Sequence, residues 1–129
     1  MPTANAAVWK SDPDSHDYPA ATAYLSLLAD ARQTTRIVAG LESAVTIHQK
    51  AKDILRASQL PLLPESNVHV AVELRKIKKG KPLSPVLLVR GDLRVGAPLQ
   101  IADGYHRVCA SYHVDENTDI PCRLVDLTS

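Results

Sequence analysis

The sequence contains 129 residues, of which 45% are hydrophobic, and its net charge at pH 7 is +1. This length suits one domain with a core of its own, and the composition excludes wholesale disorder. Because 15 basic side chains are balanced by 14 acidic ones, the chain lacks the basic excess on which nonspecific nucleic-acid binding depends.

Other features of the composition narrow the class of protein. The two cysteines, Cys109 and Cys122, provide neither a disulfide framework nor the CxxC spacing of a zinc site. The five histidines are scattered without carboxylates at ligand spacing, so we predict no metal site. The N-terminal segment lacks the apolar run of a signal peptide, and no window is long and apolar enough to cross a bilayer. These features favour a reduced, cytoplasmic protein with no membrane contact.

The domain organisation follows from a change in composition near residue 18. Residues 1–18 are rich in Pro, Asp, Ser and Asn and predict a flexible N-terminal arm, with Trp9 as an anchor that could pin it. Residues 19–129 predict a single domain. Within it, residues 19–58 are predicted to be a helical extension and residues 59–129 the core.

Two helices are predicted in the extension. Asp17 can cap the first, Pro19 is tolerated in its first turn, and Gly40 provides a stop. Its apolar residues recur at helical spacing, at Tyr24, Leu27, Leu28 and Ala31. The second helix begins at about residue 41, and one stripe along it comprises Leu41, Ala44, Val45, His48, Ala51 and Leu55. A histidine on such a stripe is more often packed than a ligand, which favours a structural role for His48.

A third helix is predicted after a connector at residues 60–67, which two prolines keep extended. Ser66 or Asn67 caps this helix, and Gly80 ends it. Its inward residues are Val70, Ala71, Leu74 and Ile77. The basic cluster at residues 75–81 lies where the helix macrodipole favours cations, so a solvated helix end explains it better than a DNA-binding patch.

Strands are predicted in the C-terminal part of the chain. Residues 86–89 form a continuous apolar run, typical of a strand that is covered on both faces. A turn is predicted at 91–96, and a return strand at 98–102 then completes a hairpin. A short helix follows from about His106. After a loop at 114–119, the last strand is predicted at 120–127. Helices followed by this compact unit predict an α+β fold.

The most polar corner lies between the return strand and the short helix, at Asp103-Gly104-Tyr105-His106-Arg107. Glycine allows a sharp turn and a close approach of a ligand, and the first N–H groups of a helix attract anions. His106 adds a polar donor and Arg107 a permanent cation, so the corner could bind a phosphate. The alternative is an ordinary corner, in which Asp103 caps the helix, Tyr105 packs and Arg107 pairs with a surface acid.

The segment from about Leu60 to Leu127 resembles the ParB/sulfiredoxin-like superfamily. The resemblance rests on PLSPVLLV at 82–89, ADGYHRVCASY at 102–112 and IPCRLV at 120–125. It implies a small mixed sheet with packed helices, here preceded by the two-helix extension. It also implies that the polar turn binds the phosphates of a nucleotide, ATP or CTP with magnesium. Gly104 would be the close-approach glycine, and His106 and Arg107 the phosphate-binding pair.

Departures from the superfamily pattern limit the function. Sulfiredoxins have a nucleophilic cysteine where this chain has Tyr105, whose phenol is no substitute for a thiolate, so sulfiredoxin activity is not expected. Cys109 lies one helical turn further on and is expected in the core. On the preceding helix, only Lys76 and His69 could still contact a phosphate. No helix-turn-helix domain follows the core, so sequence-specific DNA binding is not expected.

Two hypotheses about function follow. The first is binding of a nucleotide or another phosphate-bearing small molecule, with phosphate-ester hydrolysis or nuclease-type activity if the protein is an enzyme. Asp103 and His106 are then the catalytic candidates, although a lone aspartate holds metal ions poorly. The second is a noncatalytic interaction module that forms a homodimer through the N-terminal helices. Its contact face would comprise the stripes Tyr24-Leu28-Ala31 and Val45-His48-Leu55.

Overall fold

The computed structural model describes residues 6–127, which form five helices and four strands. In chain order these are α1 (Asp17–Leu25), α2 (Ala31–Ser43), β1 (Ile47–Lys50), α3 (Ala51–Ser58), α4 (Val68–Lys78), β2 (Val86–Val89), β3 (Gln100–Asp103), α5 (Tyr105–Val114) and β4 (Asp119–Val125). The strands form one mixed sheet, so the predicted α+β class is confirmed. Over this part of the chain, none of the helices is both long enough and apolar enough to cross a membrane.

The sheet has the strand order β1-β4-β2-β3. β2 and β3 form the predicted antiparallel hairpin, although β3 starts at Gln100 rather than Pro98, whose nitrogen has no hydrogen to donate to the ladder. β4 lies parallel to β2 and antiparallel to β1. β2 is therefore an inner strand, and all of its residues are buried, as its continuous apolar sequence predicts.

Helices cover both faces of the sheet and produce two apolar clusters. Val86 and Leu88 belong to the cluster formed with α3, α4 and α5, whereas Leu87 and Val89 belong to the cluster formed with α1 and α2. This alternation follows from the two-residue period of a strand. The cluster with α3, α4 and α5 is the larger one and includes Ile54, Val70, Ile77, Val108 and Cys109.

The N-terminal arm lies against the connector that precedes β2. The N–H of Leu83 donates to the carbonyl of Val8 at 2.7 Å, and the N–H of Lys10 donates to the carbonyl of Leu83 at 2.8 Å. Trp9, between these two bonds, packs against the larger apolar cluster, which fits its predicted role as an anchor. Residues 1–5 of the predicted arm lie outside the described part of the chain.

The single helix predicted from Asp17 to Gly40 is wrong, because a turn divides this segment into α1 and α2. Asp30 begins α2, since its carboxylate accepts a hydrogen bond from the N–H of Gln33 at 2.7 Å. Gly40 lies inside α2, where an added Cβ would be 3.3 Å from Val125 Cγ1. Gly40 therefore permits close packing of α2 on β4 and does not end a helix.

The apolar stripe predicted for the first helix is also displaced. Leu27 and Leu28 lie in the turn after α1 and are 82% and 58% exposed. The residues that α1 buries are Asp17, Ala21 and Leu25, which recur every four positions. The buried side of the helix is therefore defined by smaller and more polar residues than the sequence pattern indicates.

The second predicted helix is wrong as well. Residues 47–50 form the edge strand β1, which pairs with β4, and α3 starts only at Ala51. His48 lies on β1 with an exposed side chain and is not the packed histidine that the stripe predicts. Val45 is exposed and Leu55 is buried, so the stripe predicted as a dimer face is not one helical surface. Pairing with β4 outweighs a helical periodicity that is weak over so short a segment.

Helix α4 follows the prediction. The side-chain oxygen of Asn67 accepts hydrogen bonds from the N–H groups of His69 at 3.0 Å and Val70 at 3.1 Å, so Asn67 is the cap. Gly80 follows the helix with a φ of +71°, as a glycine that ends a helix does. The first turn of α4 lies beside the first turn of α5, where the ring centroids of His69 and His106 are 4.8 Å apart.

Candidate functional site

Gly104 shapes the polar corner between β3 and α5. Its φ is +111°, a conformation that other L-residues rarely adopt. A Cβ at this position would lie 2.5 Å from Val86 Cγ1 and 2.8 Å from Arg107 Nη2. The close approach that requires glycine is therefore made by the protein's own side chains, a structural reason that the sequence does not reveal.

Helix α5 begins at Tyr105 with its first N–H groups at the corner. The first intrahelical bond runs from the N–H of Val108 to the carbonyl of Gly104 at 3.0 Å, and no side chain among residues 6–127 caps the helix. The alternative in which Asp103 is the helix cap is therefore wrong. The preceding amides have no acceptor within the helix, and the positive end of its macrodipole favours an anion there.

Arg107 is held by two carboxylates. Its Nη2 lies 2.7 Å from Asp103 Oδ2, and its Nη1 lies 3.6 Å from Asp17 Oδ2. The Ser84 hydroxyl donates a hydrogen bond to the same carboxylate oxygen of Asp17. Arg107 is only 9% exposed, so this is an internal ion-pair network and not the surface pair of the alternative interpretation. The network connects β3 and α5 to α1.

The surroundings of Asp103 shift the pKa of its carboxyl group. Burial raises the pKa of Asp103 above its ordinary value, and the neighbouring Asp17 acts in the same direction. The guanidinium of Arg107 opposes both effects without overcoming them. Because it is buried and lies close to a second carboxylate, Asp103 holds a proton more tightly than an isolated aspartate does.

A cavity of about 530 Å³ opens at this corner. The arm, α1, α4, the connector before β2 and the β3–α5 turn bound it. Its lining residues are Lys10, Asp14, His16, Asp17, Ala20, Glu73, Lys76, Lys81, Pro82, Leu83, Ser84, Asp103, Gly104, His106 and Arg107. Most of them are polar or charged, which suits a ligand that is itself charged.

Lysines reach the cavity from three segments of the chain. Lys76 Nζ lies 3.3 Å from Glu73 Oε2, and Lys10 Nζ lies 2.7 Å from Asp14 Oδ1. Lys81 is exposed and makes no ion pair within the described range, residues 6–127. Lys81 is therefore the ammonium group that an anionic ligand can engage without breaking an existing pair.

His106 lies on the α5 side of the cavity. Burial lowers the pKa of His106, and the nearby His69 and Arg107 lower it further, whereas Glu73 acts in the opposite direction. The ring centroid of His106 lies 4.8 Å from that of His69 and 5.6 Å from that of Tyr105. A lowered pKa leaves the imidazole neutral at neutral pH, so it can accept a proton.

The structure brings together most of the residues predicted for the site. Those that line the one cavity are Lys76, Asp103, Gly104, His106 and Arg107. Two others lie next to it. The hydroxyl of Tyr105 donates to the carbonyl of Pro61 at 2.6 Å, and the exposed ring of His69 contacts that of His106.

The contribution of the arm to this cavity is absent from the sequence-based prediction. Asp14, His16 and Asp17 line it, and Asp17 bonds Ser84, which is 67 positions away. The acidic composition of the arm is the only signal of this role in the sequence. Lys81 belongs to the basic cluster at residues 75–81, for which the sequence predicts a solvated helix end and not a place in a cavity.

A larger and more open cavity of about 960 Å³ lies elsewhere on the molecule. Its lining residues are Lys50, Lys52, Asp53, Leu55, Arg56, Gln59, Leu60, Pro61, Leu62, Tyr112 and Glu116. This set includes none of the residues predicted for the site, and two of its three Lys and Arg side chains, Lys50 and Arg56, are paired with Asp119 and Asp53. The smaller cavity is the better candidate, because a helix N-terminus and the predicted residues meet there.

Neither cysteine supplies a nucleophile to the cavity. Cys109 and Cys122 are fully buried free thiols. Burial raises the pKa of Cys109 and raises that of Cys122 to about 11, so both stay protonated. The expectation that Cys109 is a core side chain is confirmed.

The residues of the cavity themselves carry the argument about function. Comparison with known proteins shows that no family model, no curated protein and no solved structure matches this chain.

Proposed function

We propose that the protein binds a phosphate-bearing small molecule, with a nucleotide as the first candidate, in the cavity at the N-terminus of α5. The observation that carries this proposal is the meeting of Lys76, Lys81 and the open end of α5 on a single cavity. Ammonium groups and free helix amides both stabilise phosphate oxygens. The resemblance of the β3–α5 turn to ParB/sulfiredoxin-like nucleotide sites supports the same ligand class, ATP or CTP with magnesium.

Arg107 has two roles in this proposal. It neutralises Asp103 and Asp17, which would otherwise repel a phosphate, and it lines the cavity itself. A guanidinium has five N–H donors, so it can hold both carboxylates and still offer a donor to the ligand. Arg107 thus supports the binding turn and contributes to binding.

Hydrolysis of the bound phosphate ester, including a nuclease-type reaction, is the chemistry that the site would support if it is catalytic. His106 is the better candidate for the general base, because its ring lines the cavity and its lowered pKa keeps the imidazole unprotonated, although the same shift makes it a weaker base. Asp103 is the second candidate, but its carboxylate is engaged by Arg107. Sulfiredoxin chemistry forms no part of the proposal, since both thiols are buried.

The proposal is tested by isothermal titration calorimetry with ATP, CTP, GTP and inorganic pyrophosphate, with and without Mg²⁺. Lys76→Ala should weaken binding about tenfold or more, because a charge-assisted hydrogen bond to a phosphate is lost. Lys78→Ala is the matched control. It removes the same charge from the same helix, at an exposed position outside the cavity lining.

The affinities of the two lysine variants decide whether the ligand binds in this cavity. Binding that is unaffected by Lys78→Ala and weakened by Lys76→Ala supports the proposal. Equal affinity in both variants, or no binding of any of the four ligands at millimolar concentration, contradicts it.

A second candidate function is a noncatalytic homodimerisation module, which the exposed turn after α1 favours. Leu27 and Leu28 are 82% and 58% exposed and adjacent in sequence, so a second copy of the chain could bury both side chains at once. Light scattering should then show a dimer that Leu28→Glu converts to a monomer. A wild-type chain that is monomeric at high concentration removes this candidate.

A further inference from the structure

A group of metal-ligand side chains lies on the arm side of the cavity, at Asp14, His16 and Asp17. One oxygen from each carboxylate and one imidazole nitrogen lie within 4.8 Å of one another. His16 Nε2 is 3.5 Å from Asp17 Oδ1 and 3.9 Å from Asp14 Oδ2. Ligand atoms that each lie about 2.1 Å from one ion are separated by about 3–4 Å, so these spacings fit a shared ion.

Contacts from outside the group turn both carboxylates toward His16. Lys10 Nζ binds Asp14 Oδ1 at 2.7 Å, and the other oxygen of Asp14 faces the imidazole. The Ser84 hydroxyl binds Asp17 Oδ2, and the other oxygen of Asp17 faces the imidazole in the same way. Metal sites depend on such outer contacts, because they fix the orientation of the ligands before the ion arrives.

The charges that line the cavity are balanced, so no net positive charge opposes a cation there. The four carboxylates that line the cavity, those of Asp14, Asp17, Glu73 and Asp103, are matched by four cations, those of Lys10, Lys76, Lys81 and Arg107. Asp17 is 3% exposed, so water screens little of the attraction between its carboxylate and a bound cation. The positive end of α1 opposes a cation, but it amounts to only about half an elementary charge.

We propose that Asp14, His16 and Asp17 form a binding site for a divalent transition-metal ion, with Zn²⁺ as the best fit. One imidazole and two carboxylates are ligands that Zn²⁺ accepts, and three protein ligands leave one coordination position open. The side chain of His16 is 80% exposed, so the ion can enter from solvent. All three residues line the cavity, so the open position is accessible from it.

The test is a calorimetric titration of Zn²⁺ into the full chain, without a histidine tag and after EDTA treatment and buffer exchange. We expect one saturable site per chain. His16→Ala and Asp14→Asn should each lower the affinity about tenfold or more, since each removes a direct ligand. His48→Ala is the matched control, because His48 is an exposed histidine on β1 outside the cavity and should not affect binding.

Cobalt provides a second readout. Co²⁺ at this site should give a visible absorption band that His16→Ala removes and His48→Ala retains, while circular dichroism confirms that each variant is folded. The proposal is overturned by the absence of saturable binding, by unchanged affinity in His16→Ala, or by an equal loss in His48→Ala. Nucleotide binding by the zinc-free chain, measured with and without Mg²⁺, decides the phosphate proposal separately, so the two proposals can fail independently.

Discussion

At the scale of single residues, Arg107 joins the candidate site to the fold. One guanidinium satisfies Asp103 and Asp17, which the chain places on β3 and α1. Removing it would leave two poorly solvated carboxylates without a cation, a change that typically costs about 3–5 kcal/mol. Lost ligand binding in an Arg107 variant would therefore reflect unfolding as readily as a missing phosphate contact, which makes Lys76 the better position for a test.

Gly104→Ala is predicted to be strongly destabilising. The left-handed backbone costs about 1–2 kcal/mol for a residue with a Cβ, and the contact with Val86 adds about 1–3 kcal/mol. Gly80→Ala is the control, because Gly80 also has a positive φ but its Cβ would meet nothing within 4 Å. Urea unfolding should therefore show a larger loss for Gly104→Ala, and equal losses would contradict the packing argument.

A pH dependence follows from the raised pKa of Asp103. The folded chain binds this proton more tightly than the unfolded chain does, so Asp103 lowers the stability of the wild type as pH rises above about 4. Asp103→Asn lacks this contribution. Its free energy of unfolding, measured relative to the wild type by urea unfolding in EDTA, should therefore increase from about pH 4 to about pH 7. A constant difference, or one of the opposite sign, would show that the pKa of Asp103 is not raised.

At the scale of secondary structure, the elements that carry their own local signals agree with the sequence. The Asn67 cap and Gly80 delimit α4, and the apolar run at 86–89 identifies β2. The segment before α4 has weaker signals. The spacing of its apolar residues fits a helix, yet residues 47–50 form the strand β1. A partner strand decides between the two, and periodicity over four residues cannot.

Asn67→Ala is predicted to destabilise the protein by about 1 kcal/mol, because two N–H groups at the start of α4 lose their acceptor. Ser66→Ala is the control, since Ser66 is exposed and precedes the cap. The measurement is the urea midpoint followed by far-UV circular dichroism. If both variants unfold at the same urea concentration, the side chain of Asn67 does not cap α4 in solution.

At the scale of the whole molecule, the arm connects segments that are distant in sequence. Asp12 accepts a hydrogen bond from Arg123 at 2.9 Å, across 111 positions. The same guanidinium donates to the carbonyl of Glu42 at 2.7 Å, near the C-terminal end of α2. The arm, α2 and β4 therefore meet at the side chain of Arg123. Other residues of this N-terminal segment, among them Asp14 and Asp17, line the candidate cavity.

Trp9 provides a probe of this arrangement, because it is the one tryptophan of the chain. Since Trp9 packs on the larger cluster, its fluorescence should change at the same urea concentration as the far-UV circular dichroism signal. Trp9→Phe, which keeps the four tyrosines, supplies the baseline. A fluorescence transition at lower urea would show that the arm detaches before the core unfolds.

The sequence by itself determined the α+β class, the β2–β3 hairpin, the limits of α4 and the corner at Gly104, because caps, glycines and apolar runs act over a few neighbouring residues. Only the tertiary structure decided that residues 47–50 are a strand, that Arg107 is shared by Asp103 and Asp17, and that the arm lines the cavity. These features depend on pairs such as Asp17 and Ser84, 67 positions apart. A charge or an edge strand acquires its partner only when the chain is folded, and no local pattern records which partner that is.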